Sequence, residues 1–185
     1  MRLLDDNFKF IDLFAGIGGF HYAMKRISAS SKCLYASEIN ENAKKIYELN
    51  FKQKCDGDII EFDPHTIEKF DVLCAGFPCQ PFSKAGYQNG FSDSRGNLFF
   101  EIARIIDSKI KENQKPKLIV LENVRNLESH DNGDTWKTIY NTLDELGYNT
   151  VKKPIIASPN DFGVPQLRDR AIIIALDKDI FSVDI

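Results

Sequence analysis

The chain has 185 residues, of which 43% are hydrophobic and 28% are charged, and its formal net charge at pH 7 is −3. This composition is typical of a globular domain with a sizeable core, and we expect a single domain over residues 1–185. No apolar run approaches the roughly 18 residues that span a bilayer, and residues 1–6 lack a signal-peptide pattern, which favours a cytoplasmic protein without a membrane partner. The four cysteines form no CxxC pair and the histidines are scattered, so neither a disulfide framework nor a metal site is expected.

Short apolar runs alternate with amphipathic stretches along the chain. Strands are predicted, in chain order, at 8–14, 33–37, 71–75, 118–121, 148–156 (broken by Pro154) and 171–176. Helices are predicted between them at 19–26, 41–50, 98–110 and 135–146. Asn40 is the predicted N-cap of the second helix, and Asp58 with Ile59 closes either a short strand or a loop. The alternation indicates an α/β fold, with an open, mostly parallel Rossmann-like sheet and helices on both faces.

Ligands of such sheets bind beyond the carboxyl ends of the strands. After the first strand, the glycine-rich segment 14–20 lets a ligand approach the backbone closely. Glu38 follows the second strand, where a carboxylate can accept both hydroxyls of a ribose. His21 stands where the dinucleotide fingerprint has its third glycine, which favours a cofactor without a pyrophosphate. A tight turn followed by a surface acid is the alternative interpretation.

Cys79 lies between two prolines directly after the strand at 71–75, within the segment 76–81. Because proline fixes φ and has no backbone donor, the chain leaves the sheet there and holds the thiol in a stiff loop. A cysteine presented in this way is a candidate nucleophile that acts as its thiolate. The alternative, a buried structural cysteine, suits Cys74 better because Cys74 lies inside the strand.

Further candidate groups follow along the chain. Glu122 follows the strand at 118–121, where partial desolvation would raise its pKa and let it donate a proton; capping the next turn is the alternative. Arg168 and Arg170 point the same way on extended backbone, as paired donors for a carbonyl oxygen or phosphates, or as a solvated basic turn. The glycine-rich segment 86–96, with Arg95 as its cation, predicts a mobile lid.

Together these segments resemble the DNA (cytosine-5)-methyltransferase family, most closely the bacterial restriction-modification methylases. The motifs that carry the resemblance are, in chain order, 10–20, Glu38, 57–59, Pro78-Cys79-Gln80, 93–96, Glu122-Asn123-Val124 and 166–170. They extend over nearly the whole chain. The resemblance implies a methyltransferase fold, S-adenosyl-L-methionine as the cofactor, and a flipped cytosine of duplex DNA as the substrate.

The resemblance also implies roles for individual residues. Cys79 adds to carbon 6 of cytosine, and Glu122 protonates or hydrogen-bonds ring nitrogen 3. Arg170 holds the base carbonyl oxygen, with Arg168 in support. The residues expected to bind the cofactor are Phe14, Ala15, Gly16, Ile17, Gly18, Gly19, Glu38, Ile39, Asp58, Ile59, Phe77, Pro78 and Leu98. The residues expected in the substrate loop are Gln80, Ser83 and Arg95.

Members of this family continue into a target-recognition domain and a segment that returns to the sheet, and this sequence has neither. We therefore expect a catalytic-domain fragment, a truncated gene product or one subunit of a split enzyme, weak or inactive without the missing C-terminal part. In a split enzyme, a second chain would supply target recognition. Much of the DNA-gripping surface would then lie outside this chain, which accounts for the missing basic surplus. Three alternatives stay open: a non-catalytic cofactor-binding subunit of a split methyltransferase, an RNA cytosine methyltransferase, and a nicotinamide dehydrogenase.

Overall fold

A seven-stranded sheet with helices on both faces forms the protein, of which the computed structural model describes residues 4–79 and 98–181. The strands are β1 (Lys9–Leu13), β2 (Lys32–Ser37), β3 (Val72–Gly76), β4 (Leu118–Val124), β5 (Tyr148–Thr150), β6 (Ile155–Ala157) and β7 (Arg170–Asp177). The helices are α1 (Gly19–Ile27), α2 (Glu41–Phe51), α3 (Leu98–Lys111) and α4 (Asp134–Glu145). Each predicted helix is therefore found, with ends that differ by one residue or none.

The strand order is β2-β1-β3-β4-β7-β5, and β6 also pairs with β7. The four strands from β2 to β4 are parallel, whereas β7 runs antiparallel to β4, β5 and β6. This confirms the predicted open α/β sheet and brings the carboxyl ends of β1 to β4 to one edge. The segment 148–156 forms two short strands, because Pro154 between them cannot donate to the ladder.

The core has two parts because side chains of buried strands point alternately to the two faces of the sheet. Phe10 and Val72 pack in one cluster with Tyr47 of α2, and Leu13 packs in the other with Ile102 of α3. All five are fully buried. Burying a side chain of this size stabilises the fold by about 1.5–3 kcal/mol, so both helical layers hold the sheet edge in place.

Two helices begin near that edge, and they begin differently. In α2 the Asn40 side chain accepts hydrogen bonds from the backbone N–H groups of Asn42 at 3.0 Å and Ala43 at 3.1 Å, which confirms the predicted cap. Before α1, Gly18 has a φ of 96°, and a Cβ there would lie 2.0 Å from the ring of Phe51. Only glycine therefore lets the start of α1 pack against the end of α2.

Asp58 and Ile59 belong to a loop, as one of the two predicted alternatives had it. Ile59 begins a 3₁₀ turn, Ile59–Glu61, and the Asp58 side chain accepts a hydrogen bond from the N–H of Ile60 at 3.0 Å. This loop follows α2 and brings Asp58 to the same edge as the strand ends.

All four cysteines are free thiols, and Cys74 is fully buried in β3 as predicted. Within residues 4–79 and 98–181, no helix is long and apolar enough to cross a bilayer. In those same ranges, no cluster of three or more histidine, cysteine or acidic side chains is arranged to hold a metal ion.

Candidate active site

A cavity of about 510 Å³ lies at the carboxyl ends of the parallel strands, within the range of about 300–1,000 Å³ that is usual for small-molecule sites. Its lining includes the proposed reactive residues Cys79, Glu122, Arg168 and Arg170. It also includes the predicted cofactor residues Phe14, Glu38, Ile39, Asp58, Ile59, Phe77, Pro78 and Leu98. The two predicted groups of residues therefore share one cavity.

The segment 15–19 shapes the turn next to this cavity and does not contribute to its lining. The N–H of Ala15 donates to the carbonyl of Ser37 at 2.9 Å, and the N–H of Gly18 donates to the carbonyl of Ala15 at 2.8 Å. Ile17 is exposed, and Gly19 begins α1. Within the described part of the chain, these residues therefore fix the loop between β1 and α1.

Phe14 holds a backbone conformation that few bulky residues adopt. Its φ is 55°, in the left-handed region, which costs of order 1–3 kcal/mol for such a residue. Strain of this kind concentrates at ligand sites because the surrounding structure must impose it. Here it ends β1 and leaves the Phe14 side chain at the wall of the cavity.

Glu38 is fixed by two backbone donors. Its Oε2 accepts from the N–H of Gly16 at 2.9 Å, and its Oε1 accepts from the N–H of Asn40 at 2.8 Å. An ionised carboxylate has about four lone-pair sites. The Glu38 side chain is therefore oriented by the loop and still has acceptor capacity for two hydroxyl groups.

Cys79 is half-buried, and its burial raises the pKa of the thiol. The segment before it is tied to β4 through Asn123, whose side-chain amide donates to the carbonyl of Phe77 at 3.0 Å. The amide oxygen of Asn123 accepts from the N–H of Val124 at 2.8 Å. Asn123 is almost fully buried, so a polar side chain inside β4 fixes the approach to Cys79.

Glu122 faces the cavity from β4 and forms an ion pair with an arginine. It lies opposite Gly76 in the β3 register, and the Nε of Arg170 donates to its Oε1 at 2.6 Å. Burial raises the pKa of the Glu122 carboxyl, and the nearby charges of Arg170 and Arg168 oppose that effect. The direction agrees with the sequence-based expectation of a carboxyl group that can hold a proton.

The two arginines differ in their support. Arg170 begins β7, and its Nη1 also donates to the carbonyl of Asp169 at 2.9 Å. Arg168 precedes the strand and is exposed, with its backbone N–H 3.3 Å from Oγ of Ser158. Both line the cavity, as their predicted common direction requires, but Arg170 is the one bonded to Glu122.

Some predicted site residues lie outside the described ranges, and some residues that line the cavity were not predicted. Gln80, Ser83, Arg95 and the predicted lid at 86–96 belong to the first group. Ser37, Gly76 and Asn123 line the cavity but were not among the predicted site residues. The available signal for Asn123 was its position: an amide beside Glu122 within an apolar strand requires a buried partner.

Comparison with known proteins gives one family and several relatives. The chain matches the C-5 cytosine-specific DNA methylase family over residues 8–183. It is 47% identical over 172 residues to the type II methyltransferase M.HhaI of Haemophilus parahaemolyticus, across 93% of this chain and 50% of that protein. It is 49% identical over 178 residues to the type II methyltransferase M.HpaII of Haemophilus parainfluenzae, across 95% of this chain and 48% of that protein.

A solved structure is similar to this one over most of the length of this chain. The methyltransferase EhMeth of Entamoeba histolytica aligns with a TM-score of 0.70 and 28% identity, across 92% of this chain and 53% of that chain. The chain thus spans about half the length of the curated relatives it matches.

Proposed function

The chain belongs to the family of C-5 cytosine-specific DNA methylases, and we propose that it carries the catalytic and cofactor-binding part of such an enzyme. The reaction is transfer of a methyl group from S-adenosyl-L-methionine to carbon 5 of cytosine in duplex DNA. The observation that best supports this is that Cys79, Glu122 and Arg170 line one cavity, with Arg170 bonded to Glu122. The sheet has the Rossmann-like fold of solved methyltransferases. Because its relatives are type II methyltransferases, we also propose a role in a restriction-modification system.

The side chains that line the cavity suit this cofactor. Glu38, held by the N–H groups of Gly16 and Asn40, keeps acceptor sites for the two ribose hydroxyls. Phe14 offers an aromatic face for the adenine, and Asp58 lies at the same wall. When bound, S-adenosylmethionine supplies an electrophilic methyl group.

The protein must make carbon 5 of cytosine nucleophilic, because that atom reacts poorly in the free base. The Cys79 thiolate forms a bond to carbon 6, and the electron pair of the 5–6 double bond moves to carbon 5. Glu122 donates a proton or a hydrogen bond to ring nitrogen 3, which stabilises the electron-rich ring. Arg170, with Arg168 nearby, donates to the base carbonyl oxygen.

The adduct then returns to an aromatic ring. Carbon 5 takes the methyl group and then gives its proton to water. The electron pair left on carbon 5 re-forms the 5–6 double bond as Cys79 leaves carbon 6 as the thiolate. The raised pKa of Glu122 favours a carboxyl group that still carries its proton. The raised pKa of Cys79 favours the neutral thiol, so water must take the thiol proton before the thiolate attacks.

We infer that DNA recognition requires protein beyond this chain. The relatives are about twice as long, and the chain has a net charge of −3 although phosphate neutralisation supplies much of the affinity for DNA. The target base must also leave the duplex to reach the cavity. A second polypeptide carrying the part of a relative that this chain does not match would supply these contacts.

The test is transfer of a labelled methyl group to duplex DNA. The chain is assayed alone, and together with a polypeptide that carries the unmatched part of M.HhaI. We expect weak or no transfer alone, clear transfer with the second polypeptide, and none with Cys79→Ser. Transfer that survives Cys79→Ser would contradict the mechanism, and faster transfer to an RNA of the same sequence would contradict the substrate.

A duplex with 5-fluorocytosine at the target position separates the enzyme from a non-catalytic subunit. Fluorine at carbon 5 cannot leave as a proton does, so Cys79 stays bonded to carbon 6 after methyl transfer. We expect a covalent protein–DNA complex that needs cofactor. Cofactor binding without any such complex, alone or with the second polypeptide, would instead indicate a cofactor-binding subunit.

A further inference from the structure

We propose that the ion pair between Arg125 and Asp169 is a positioning device that holds Arg170, and through Arg170 holds Glu122, in the geometry used at the site. Neither member of the pair lines the cavity among the described residues. The inference rests on the proposed function for its role in catalysis, but its structural part can be tested without it.

The pair stands where the backbone ladder between β4 and β7 stops. The last paired residues of these antiparallel strands are Val124 and Arg170. In that register the next opposite residues are Arg125 and Asp169, and there the Nη1 of Arg125 donates to Oδ2 of Asp169. A side-chain contact therefore continues the strand pairing by one position beyond the last backbone pair.

The position of Asp169 matters because Arg170 depends on it. The guanidinium of Arg170 donates through Nη1 to the carbonyl of Asp169 at 2.9 Å and through Nε to Oε1 of Glu122 at 2.6 Å. One guanidinium thus has two anchors, the Asp169 peptide and the Glu122 carboxylate. If the Asp169 peptide moves, Arg170 loses the anchor that aims it at Glu122.

The backbone of Arg170 is paired with Val124 of β4 and Ala157 of β6, whereas the backbone contact on the other side of Asp169 is weak. Before Asp169, the N–H of Arg168 lies 3.3 Å from Oγ of Ser158, a long distance for a hydrogen bond. The side chain of Arg125 is 65% exposed and that of Asp169 is 29% exposed. A pair this exposed contributes little to the free energy of unfolding, so its effect should be found in the geometry of Arg170.

The decisive variant is Asp169→Asn, because simple charge effects and positioning predict opposite results. Removing a negative charge near Glu122 would by itself lower the pKa of Glu122. Loosening Arg170, whose positive charge lowers that pKa, would raise it. The ionisable groups that line the cavity with Glu122 are Cys79, Glu38, Asp58, Arg168 and Arg170.

The experiment follows the Glu122 carboxyl carbon by NMR during a pH titration of the chain labelled with ¹³C-glutamate. We expect Glu122 to titrate at higher pH in Asp169→Asn and in Arg125→Met, and as in the wild type in Arg125→Lys, which keeps the cation. The matched control is Lys153→Met. It breaks the exposed pair of Lys153 with Glu128, in the same 3₁₀ turn as Arg125, and should leave Glu122 unchanged.

A Glu122 titration that is unchanged or lower in Asp169→Asn overturns the proposal, and so does an equal rise in Lys153→Met. Methyl transfer with the second polypeptide gives the catalytic readout. There we expect kcat to fall about tenfold in Asp169→Asn and Arg125→Met, with the KM for the cofactor unchanged. Because the titration needs no turnover, an inactive wild type would contradict the proposed function while a shifted Glu122 still supports the positioning.

Discussion

Glu38 and Glu122 both stand near the carboxyl ends of parallel strands, yet the protein holds them in different ways. Glu38 accepts from two backbone N–H groups, those of Gly16 and Asn40. Glu122 is held by the side chain of Arg170, in a half-buried place where burial raises its pKa. Backbone donors are neutral and stay in place, so they keep a carboxylate ready to accept hydrogen bonds. A half-buried carboxyl group beside an arginine can exchange a proton, so the β1–β2 side suits binding and the β4–β7 side suits chemistry.

The largest effect is expected from a substitution of Glu122, which should impair chemistry but not cofactor binding. Changing Glu122 to Gln keeps the shape but removes the proton that the carboxyl group can donate. We expect methyl transfer, measured in single turnovers with the second polypeptide, to fall by about 10²–10⁴-fold. The affinity for S-adenosylmethionine, measured by calorimetry, should stay within about twofold of the wild type, since we assign cofactor binding to Glu38. A large loss of cofactor affinity in Glu122→Gln would break the comparison.

The pH profile provides the control for this variant. The proposed mechanism needs an ionised Cys79 and a protonated Glu122, and burial raises the pKa of both. Its rate should rise up to the pKa of Glu122, then stay level up to the pKa of Cys79, because the two fractions change in opposite directions. In Glu122→Gln the rate should keep rising, tenfold per pH unit, up to the pKa of Cys79. A plateau that survives the substitution would exclude Glu122 as the proton donor.

A smaller effect is expected at Glu38. Glu38→Ala removes a carboxylate acceptor from the proposed ribose position and releases two backbone donors. A hydrogen bond to a charged group contributes about 1.5–3 kcal/mol, so we expect the Kd for S-adenosylmethionine to rise by about 10–100-fold. Glu41→Ala is the matched control, since it removes an exposed acid from the start of the neighbouring α2. Equal affinities for S-adenosylmethionine in the two variants would contradict the assignment of Glu38 to the ribose.

The sequence predicts the parts of this site that depend on where strands end. Cys79, Glu122 and Glu38 line one cavity because parallel strands bring their carboxyl ends to one edge. Arg170 reaches the same cavity differently, since it begins β7, which runs antiparallel to β4. The cap at Asn40 is equally local, since it needs only the side chain and the next helical turn. These predictions require the element pattern but no knowledge of packing.

The parts that the sequence does not predict depend on register and on contacts between distant segments. The packing requirement at Gly18 follows from Phe51 of another helix, which the glycine-rich pattern of 14–20 does not reveal. Asn123 of β4 donates to the carbonyl of Phe77, which directly follows the neighbouring strand β3. The pairing of Arg125 with Asp169 follows from the antiparallel register of β4 and β7, which a pattern of apolar runs does not specify.

The smallest expected effect tests whether burial or the hydrogen-bond partner determines the charge of a carboxyl group at this edge. Asp12 in β1 combines the two cases, since it is fully buried like a core residue and accepts a backbone N–H, that of His21, at 3.2 Å. Its Oδ1 has no hydrogen-bond partner among the described residues. Burial raises the pKa of Asp12 to about 8 from its ordinary 3.8, so burial outweighs the backbone donor.

The sign of the resulting pH dependence is fixed. Asp12 has a pKa of about 8 in the native protein and an ordinary pKa of 3.8 in the unfolded chain. Between these two values the native protein holds a proton on Asp12 that the unfolded chain releases, so the free energy of unfolding falls as the pH rises towards 8. His21 opposes this only below its ordinary pKa of 6.5, because burial lowers its pKa to about 4. Between pH 6.5 and 8, the wild type should therefore lose up to about 1.4 kcal/mol per pH unit relative to Asp12→Asn. Urea unfolding at pH 6.5 and at pH 8 measures this loss. Asp107→Asn in α3 is the control and should lose as much stability as the wild type. If the free energy of unfolding changed equally with pH in the wild type, Asp12→Asn and Asp107→Asn, Asp12 would be ionised in the native state.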